Sequence, residues 1–142
     1  MTYWLKALGM GARGEQMPDN WRNIDVLTRH ATFKRQSSFK PGDKVVYYAS
    51  GKGLVFAEGD VTSGPYYARE DGVESNWPWR VDVSIESSID FIPRGVNLAD
   101  AAVDGRDLRR SIRQKSHIRL SEAEYRAAVD AIRSRATYRR SA

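Results

Sequence analysis

The run Phe39-Lys40-Pro41-Gly42-Asp43-Lys44-Val45-Val46-Tyr47-Tyr48-Ala49-Ser50-Gly51-Lys52-Gly53-Leu54-Val55-Phe56-Ala57-Glu58-Gly59-Asp60-Val61 reads as turn, strand, turn, strand, and decides the architecture. Pro41 presets φ for the second position of a β-turn, and Gly42 supplies the positive φ that a type II turn needs at the third. Lys44 to Ala49 is rich in β-branched and aromatic residues, and Ser50-Gly51-Lys52-Gly53 then breaks the run. From Leu54 to Thr62, Val55, Ala57, Gly59 and Val61 alternate onto one face, which predicts an antiparallel hairpin. The small inward residues Ala57 and Gly59 predict a tightly curved sheet, or a close approach of something to the backbone.

Upstream, Tyr3 to Leu8 reads as a first strand, followed by a glycine-containing loop from Gly9 to Pro18. Asp19 or Asn20 caps a helix with Trp21, Ile24 and Leu27 on one stripe, and Ala31 to Ser38 forms an irregular basic link. Downstream, Ser63 to Tyr67 turns the chain, and Ala68 to Asn76 is an acidic loop. Trp77-Pro78-Trp79-Arg80 opens a strand in which Val81, Val83 and Ile85 oppose Arg80, Asp82, Ser84 and Glu86. A short strand is expected over Ile89 to Ile92, then helices over Leu98 to Val103, capped by Asn97, and Arg106 to Gln114. His117 to Leu120 fits a last strand. Ser121-Glu122-Ala123-Glu124 is a capping box, and Tyr125, Ala128, Val129 and Ile132 continue it at helical spacing. The whole is an α+β domain built on a small, mostly antiparallel β-barrel with flanking helices, residues 1–136, with 137–142 as a basic C-terminal tail.

Composition narrows the function. The chain has 142 residues, enough for one domain. No apolar run approaches the roughly 18 residues of a membrane helix, and the N-terminus lacks the pattern of a signal peptide, so a cytoplasmic protein without a membrane partner is expected. There is no cysteine and there are two histidines, His30 and His117, which leaves little for a metal centre and excludes thiolate chemistry. The net charge is +5, and its distribution matters more than its size. From Arg106 onward eleven Lys and Arg face four acids, an asymmetry that points to a polyanion, most often nucleic acid.

Candidates for catalysis are few. Ser50 has no histidine placed beside it, Gly51-Lys52-Gly53 lacks phosphate-loop spacing, and Glu58 and Asp60 share one strand face as solvated carboxylates commonly do. No cofactor is implied, and the chain is expected not to be an enzyme. The aromatics are more informative, because Phe33, Tyr66, Tyr67, Trp77 and Trp79 fall where the chain turns, with Lys34, Arg35, Arg69 and Arg80 beside them. Flat rings flanked by cations are suited to a nucleobase and its phosphates.

Met1 to Leu5, Lys40 to Ser50 and Trp77 to Val83, in that order and spacing, resemble the EVE domain family of the PUA-like superfamily, relatives of the YTH readers. The likeness is greatest to the short single-domain bacterial and archaeal branch. It departs from the family at Thr32-Phe33-Lys34-Arg35-Gln36, where many members carry a tryptophan-containing run, and at Tyr48-Ala49-Ser50, which keeps the serine of Tyr-His-Ser and loses the histidine. The resemblance implies a PUA-like barrel whose partner is DNA or RNA bearing a modified base turned out into a pocket. On that reading Phe33, Trp77 and Trp79 form the walls, Ser50 bonds the base edge, and Lys34, Arg35, Lys52, Arg113 and Lys115 take phosphates. The alternatives are an ASCH-like amidohydrolase of modified nucleosides using Lys52 and Glu58, and a small-molecule or protein-interaction domain.

Overall fold

The protein is described from a computed structural model, which covers residues 1–9, 17–23, 25–68 and 77–140. Most of the Gly9 to Pro18 loop, Ile24 of the expected helical stripe, the acidic loop beyond Ala68 with Arg69, and the last two residues of the tail lie outside it.

The hairpin that dominates the sequence is present as β3 (Lys44–Ala49) and β4 (Leu54–Val61). The turn before it closes with the Asp43 amide donating to Lys40 O at 3.0 Å, and Gly42 takes φ +92°. Asp43 is itself buried, and its carboxylate accepts from Trp4 Nε1 at 2.9 Å and from the Thr2 and Lys40 amides, both at 3.0 Å. That carboxylate ties the first strand, β1 (Tyr3–Leu8), to the hairpin. β1 runs parallel to β3, Lys6 beside Tyr47, and antiparallel to β8 (His117–Leu120), with Lys6 opposite His117.

On the other side, β4 pairs with β6 (Trp79–Ser88), the ten-residue strand announced by the Arg80-to-Glu86 alternation. β6 changes partners along its length. Residues 83–88 pair with β4, whereas 79–82 pair with β2 (His30–Phe33) on one edge, and 79–80 with β5 (Tyr66–Tyr67) on the other. Asp82 fastens that second half: Tyr66 Oη donates to its Oδ1 at 2.6 Å and His30 Nδ1 lies 2.8 Å from it. The main path is therefore β2-β6-β4-β3-β1-β8, a mixed sheet.

The expected barrel is a curled half-barrel. Its end strands β2 and β8 are brought together by side chains, the Phe33 and His117 rings lying 5.2 Å apart at their centroids. The curl has local causes, since register slips at Tyr47/Tyr48 and at Glu58/Gly59 bend the strands. At the second slip the backbones nearly touch. A Cβ on Gly59 would sit 2.4 Å from Ser84 O and 3.1 Å from Ile85 Cα, so the small residue read as a sign of close approach is one. Gly59→Ala is expected to destabilise the fold by about 2 kcal/mol, read as a lower midpoint in urea with an unchanged slope.

The longest helix, α3 (Glu122–Arg135), starts on the predicted capping box: Ser121 Oγ accepts from the Glu124 amide at 3.1 Å, and Glu124 Oε1 accepts from the Ser121 amide at 2.8 Å. It covers the outer face of β4, where Arg133 reaches Glu58 and accounts for its burial, while Phe56 is buried against the Trp21 and Tyr47 rings, 4.9 Å and 6.2 Å away at their centroids.

Elsewhere the structure corrects the sequence reading. The helix expected after Asp19 is a 3-10 turn (Trp21–Asn23) followed by the short α1 (Asp25–Arg29). The link expected to be irregular contains β2. Ile89 to Ile92 is not a strand: β6 ends at Ser88, and Pro93 sits in a 3-10 turn (Ile92–Arg94), where its missing amide costs nothing. After Gly95, the two residues of β7 (Val96–Asn97) pair with the start of β4. Leu98 to Val103 is reduced to a 3-10 turn (Leu98–Ala101), though Asn97 caps it as expected, and the basic helix is the five-residue α2 (Leu108–Ile112). Within the basic tail, β9 (Tyr138–Arg139) pairs with the end of β6.

Candidate functional site

The contact that joins the two ends of the sheet is also where chemistry-bearing side chains converge. Phe33, the last residue of β2, points inward and is 2% exposed. Its ring meets Phe39 at 4.9 Å and His117 at 5.2 Å, both edge to face, and Phe39 stacks on Trp4 at 4.4 Å and 17°. Beside Phe33 lies a group the sequence did not single out. Lys6 of β1 is 2% exposed, its Nζ 4.9 Å from the Phe33 ring centroid and 5.7 Å from that of Trp77. Lys34 reaches the same indole, 5.0 Å from its centroid, and Lys34 itself is exposed.

This surface arranges cations around a partly exposed indole. Its electrostatics follow from burial. The Lys6 ammonium donates to Ala7 O at 2.8 Å, and loss of solvent pulls its pKa down to about 7. His117 is pulled down to about 4, first by burial and then by the Lys6 charge, so near neutral pH its imidazole is uncharged. Ser116 Oγ lies 2.5 Å from His117 Nδ1.

The residues expected at the site are thus only partly gathered. Phe33, Trp77 and Lys34 come together, but Phe33 is a buried packing ring rather than an open wall, because β2 carries it under the curl. Trp79 is opposite Phe33 in the β2–β6 register, partly exposed, and meets the exposed Tyr67 edge to face at 5.6 Å. Arg35 follows Lys34 into solvent, and Lys115, also exposed, lies two residues before His117. Ser50 and Lys52 lie apart, in the β3–β4 turn. The Ser50 amide donates to Leu8 O at 2.9 Å, and no hydrogen bond joins Ser50 to the aromatic cluster among the described residues. Lys52 pairs with Asp19 at 3.3 Å. Arg113 is exposed in the turn after α2.

The basic C-terminal quarter divides in two. Arg106, Arg126, Arg133 and Arg140 are engaged with carboxylates of the fold, at Glu124, Glu122, Glu58, and Asp60 with Glu86 respectively. Arg109, Arg110, Arg113, Lys115, Arg119, Arg135 and Arg139 have no carboxylate partner among the described residues; the first five lie from α2 through β8, on either side of His117, and the other two at the end of α3 and in β9. Glu58 and Lys52, the pair weighed for hydrolysis, are each held by a different partner, Arg133 at 2.9 Å and Asp19. Among the described residues no cluster of three or more His, Asp or Glu could hold a metal, and no helix is long and apolar enough to cross a membrane.

No family model matches the sequence, and no curated protein matches it. Solved structures do. Protein Atu2648 from Agrobacterium tumefaciens is 20% identical with TM-score 0.56, over 94% of this chain and 92% of that one. The DUF55 domain of human thymocyte nuclear protein 1 is 15% identical with TM-score 0.55, over 91% and 97%. Human THYN1, solved in complex with 5-methylcytosine-containing DNA, is 12% identical with TM-score 0.55, over 92% and 96%. Identities this low speak for the fold, which spans almost the full length of each chain. The curled mixed sheet and its flanking helices agree with these matches on one conclusion: this chain has the α+β half-barrel fold of the DUF55 domain of human thymocyte nuclear protein 1.

Proposed function

We propose that this protein is a non-catalytic reader that takes a modified nucleobase from DNA or RNA against the Trp77 indole. The observation that carries the reading is the grouping of Trp77, Lys34 and Lys6 beside Phe33 where the ends of the half-barrel meet. THYN1 in complex with 5-methylcytosine-containing DNA supports it by analogy of fold. A base stacks on Trp77 with Trp79 and Tyr67 bordering it, and the exposed Lys34, Arg35, Lys115 and Arg113 meet phosphates. Stacking contributes roughly 1 to 3 kcal/mol per base, and extruding a base from a duplex costs on the order of a few kcal/mol. Single-stranded sites are therefore bound more readily than duplex ones.

The test is fluorescence anisotropy with oligonucleotides carrying single modified bases. Trp77→Ala and Trp79→Ala are each expected to weaken binding at least about tenfold, and affinity is expected to fall steeply with salt. Unchanged affinity in both variants removes the aromatic wall from the site. Absence of product when acylated cytidines are incubated with the protein and chromatographed is the result expected of a reader.

A further inference from the structure

Lys6 is the feature of this site that packing does not explain. An ammonium carries three N–H donors and no acceptor, and here one donor is satisfied, by Ala7 O at 2.8 Å. The groups around it offer little more. His117, opposite it on β8, and Tyr47, beside it on β3, are neutral partners in the register. Phe33 and Trp77 present rings, and Lys34 adds a like charge at the same indole. No carboxylate pairs with Lys6 among the described residues. A methionine would fill the same volume without the cost of burying polar hydrogens, so what a lysine adds at this position is its donors.

We propose that Lys6 reads the edge of the bound base, donating its remaining N–H groups to a ring carbonyl oxygen, and so selects carbonyl-bearing bases over adenine-type ones. The inference rests on the reader function proposed above and adds the identity of the discriminating residue and the class of base. A cytosine, uracil or guanine ring stacked on Trp77 presents a carbonyl acceptor along its edge, whereas adenine presents ring nitrogens and an amino donor. A carbonyl oxygen has two lone pairs for the two remaining N–H groups, whereas an adenine ring nitrogen has one and leaves an N–H without a partner, and a site built to satisfy a group disfavours the analogue that does not.

Anisotropy titrations of short single-stranded DNA, identical except for one central 5-methylcytosine or N6-methyladenine, test this on the wild type and on Lys6→Met. The wild type is expected to bind the 5-methylcytosine strand at least about tenfold more tightly, and Lys6→Met to lose that preference while keeping the residual affinity due to stacking and phosphates. Circular dichroism and a melting curve on the variant establish that it is folded. Equal affinity of the wild type for both strands, or a preference that survives in Lys6→Met, overturns the role of Lys6 and leaves the reader function standing. Failure of the wild type to bind any modified strand overturns both together.

Discussion

Lys6→Met is expected to melt about 5 to 10 °C higher than the wild type near neutral pH. The lysine is fully enclosed, and burial brings its pKa from 10.5 down to about 7. Below about pH 7 the folded protein carries a charge it can barely solvate, while the unfolded chain carries the same charge in water. The penalty is complete there, shrinks as pH rises from about 7 toward 10.5, where only the unfolded state still binds the proton, and is gone above that. At neutral pH it amounts to about 4 kcal/mol, part of which Met recovers by filling the space. The contribution of this group therefore makes the wild type more stable as pH rises through that window, and the variant lacks that slope. Scanning fluorimetry at about pH 6, 8 and 10 reads both effects. An unchanged or lowered melting temperature at neutral pH would mean that Lys6 is hydrated. Gain of stability with loss of base discrimination is the usual exchange at a functional position.

The opposite outcome is expected at the outer face of the sheet. Arg133→Met removes the guanidinium that holds buried Glu58, whose Oε1 accepts from Arg133 Nη2 at 2.9 Å and which is 1% exposed. Burial already raises the pKa of Glu58 against the pull of Arg133, with Glu86 and Asp60 adding to the rise. Without its partner the carboxylate is stranded, at a cost of about 3 kcal/mol. A carboxyl whose folded pKa lies above its unfolded value is destabilising once ionised, so the loss is largest at high pH and shrinks as the pH falls through the raised pKa. Adding Glu58→Gln to Arg133→Met is expected to restore most of the stability, a coupling that a double-mutant cycle in urea measures directly.

The parts of this molecule that were legible in the sequence are those whose signal is local. The Pro41-Gly42 turn, the β3–β4 hairpin, the alternation in β6 and the capping box of α3 are each specified within a dozen residues or so. β2, β5 and β9 were not legible, because strands of two to four residues exist only through their pairing with β6. Misreading β2 as a link is also why Phe33 was expected at a rim when it lies inside. Lys6 was missed for a related reason. In Tyr3-Trp4-Leu5-Lys6-Ala7-Leu8 a single lysine reads as the solvent side of a strand, and only the curl of the distant β2 and the approach of Trp77 cover that side. His117 left a trace, as one of two histidines, but nothing near it in sequence names the rings that surround it.

The pairing of β1 with β8 places Lys6 opposite His117, so residues near the beginning and the end of the chain share one ladder. Contacts so far apart in sequence form late and slowly, because the intervening loop must be closed first. On the ribosome, β1 therefore waits with one edge bare until His117 to Leu120 have been made. A nascent or truncated chain that ends before His117 therefore leaves that edge of β1 unpaired and lacks the ring that meets Phe33.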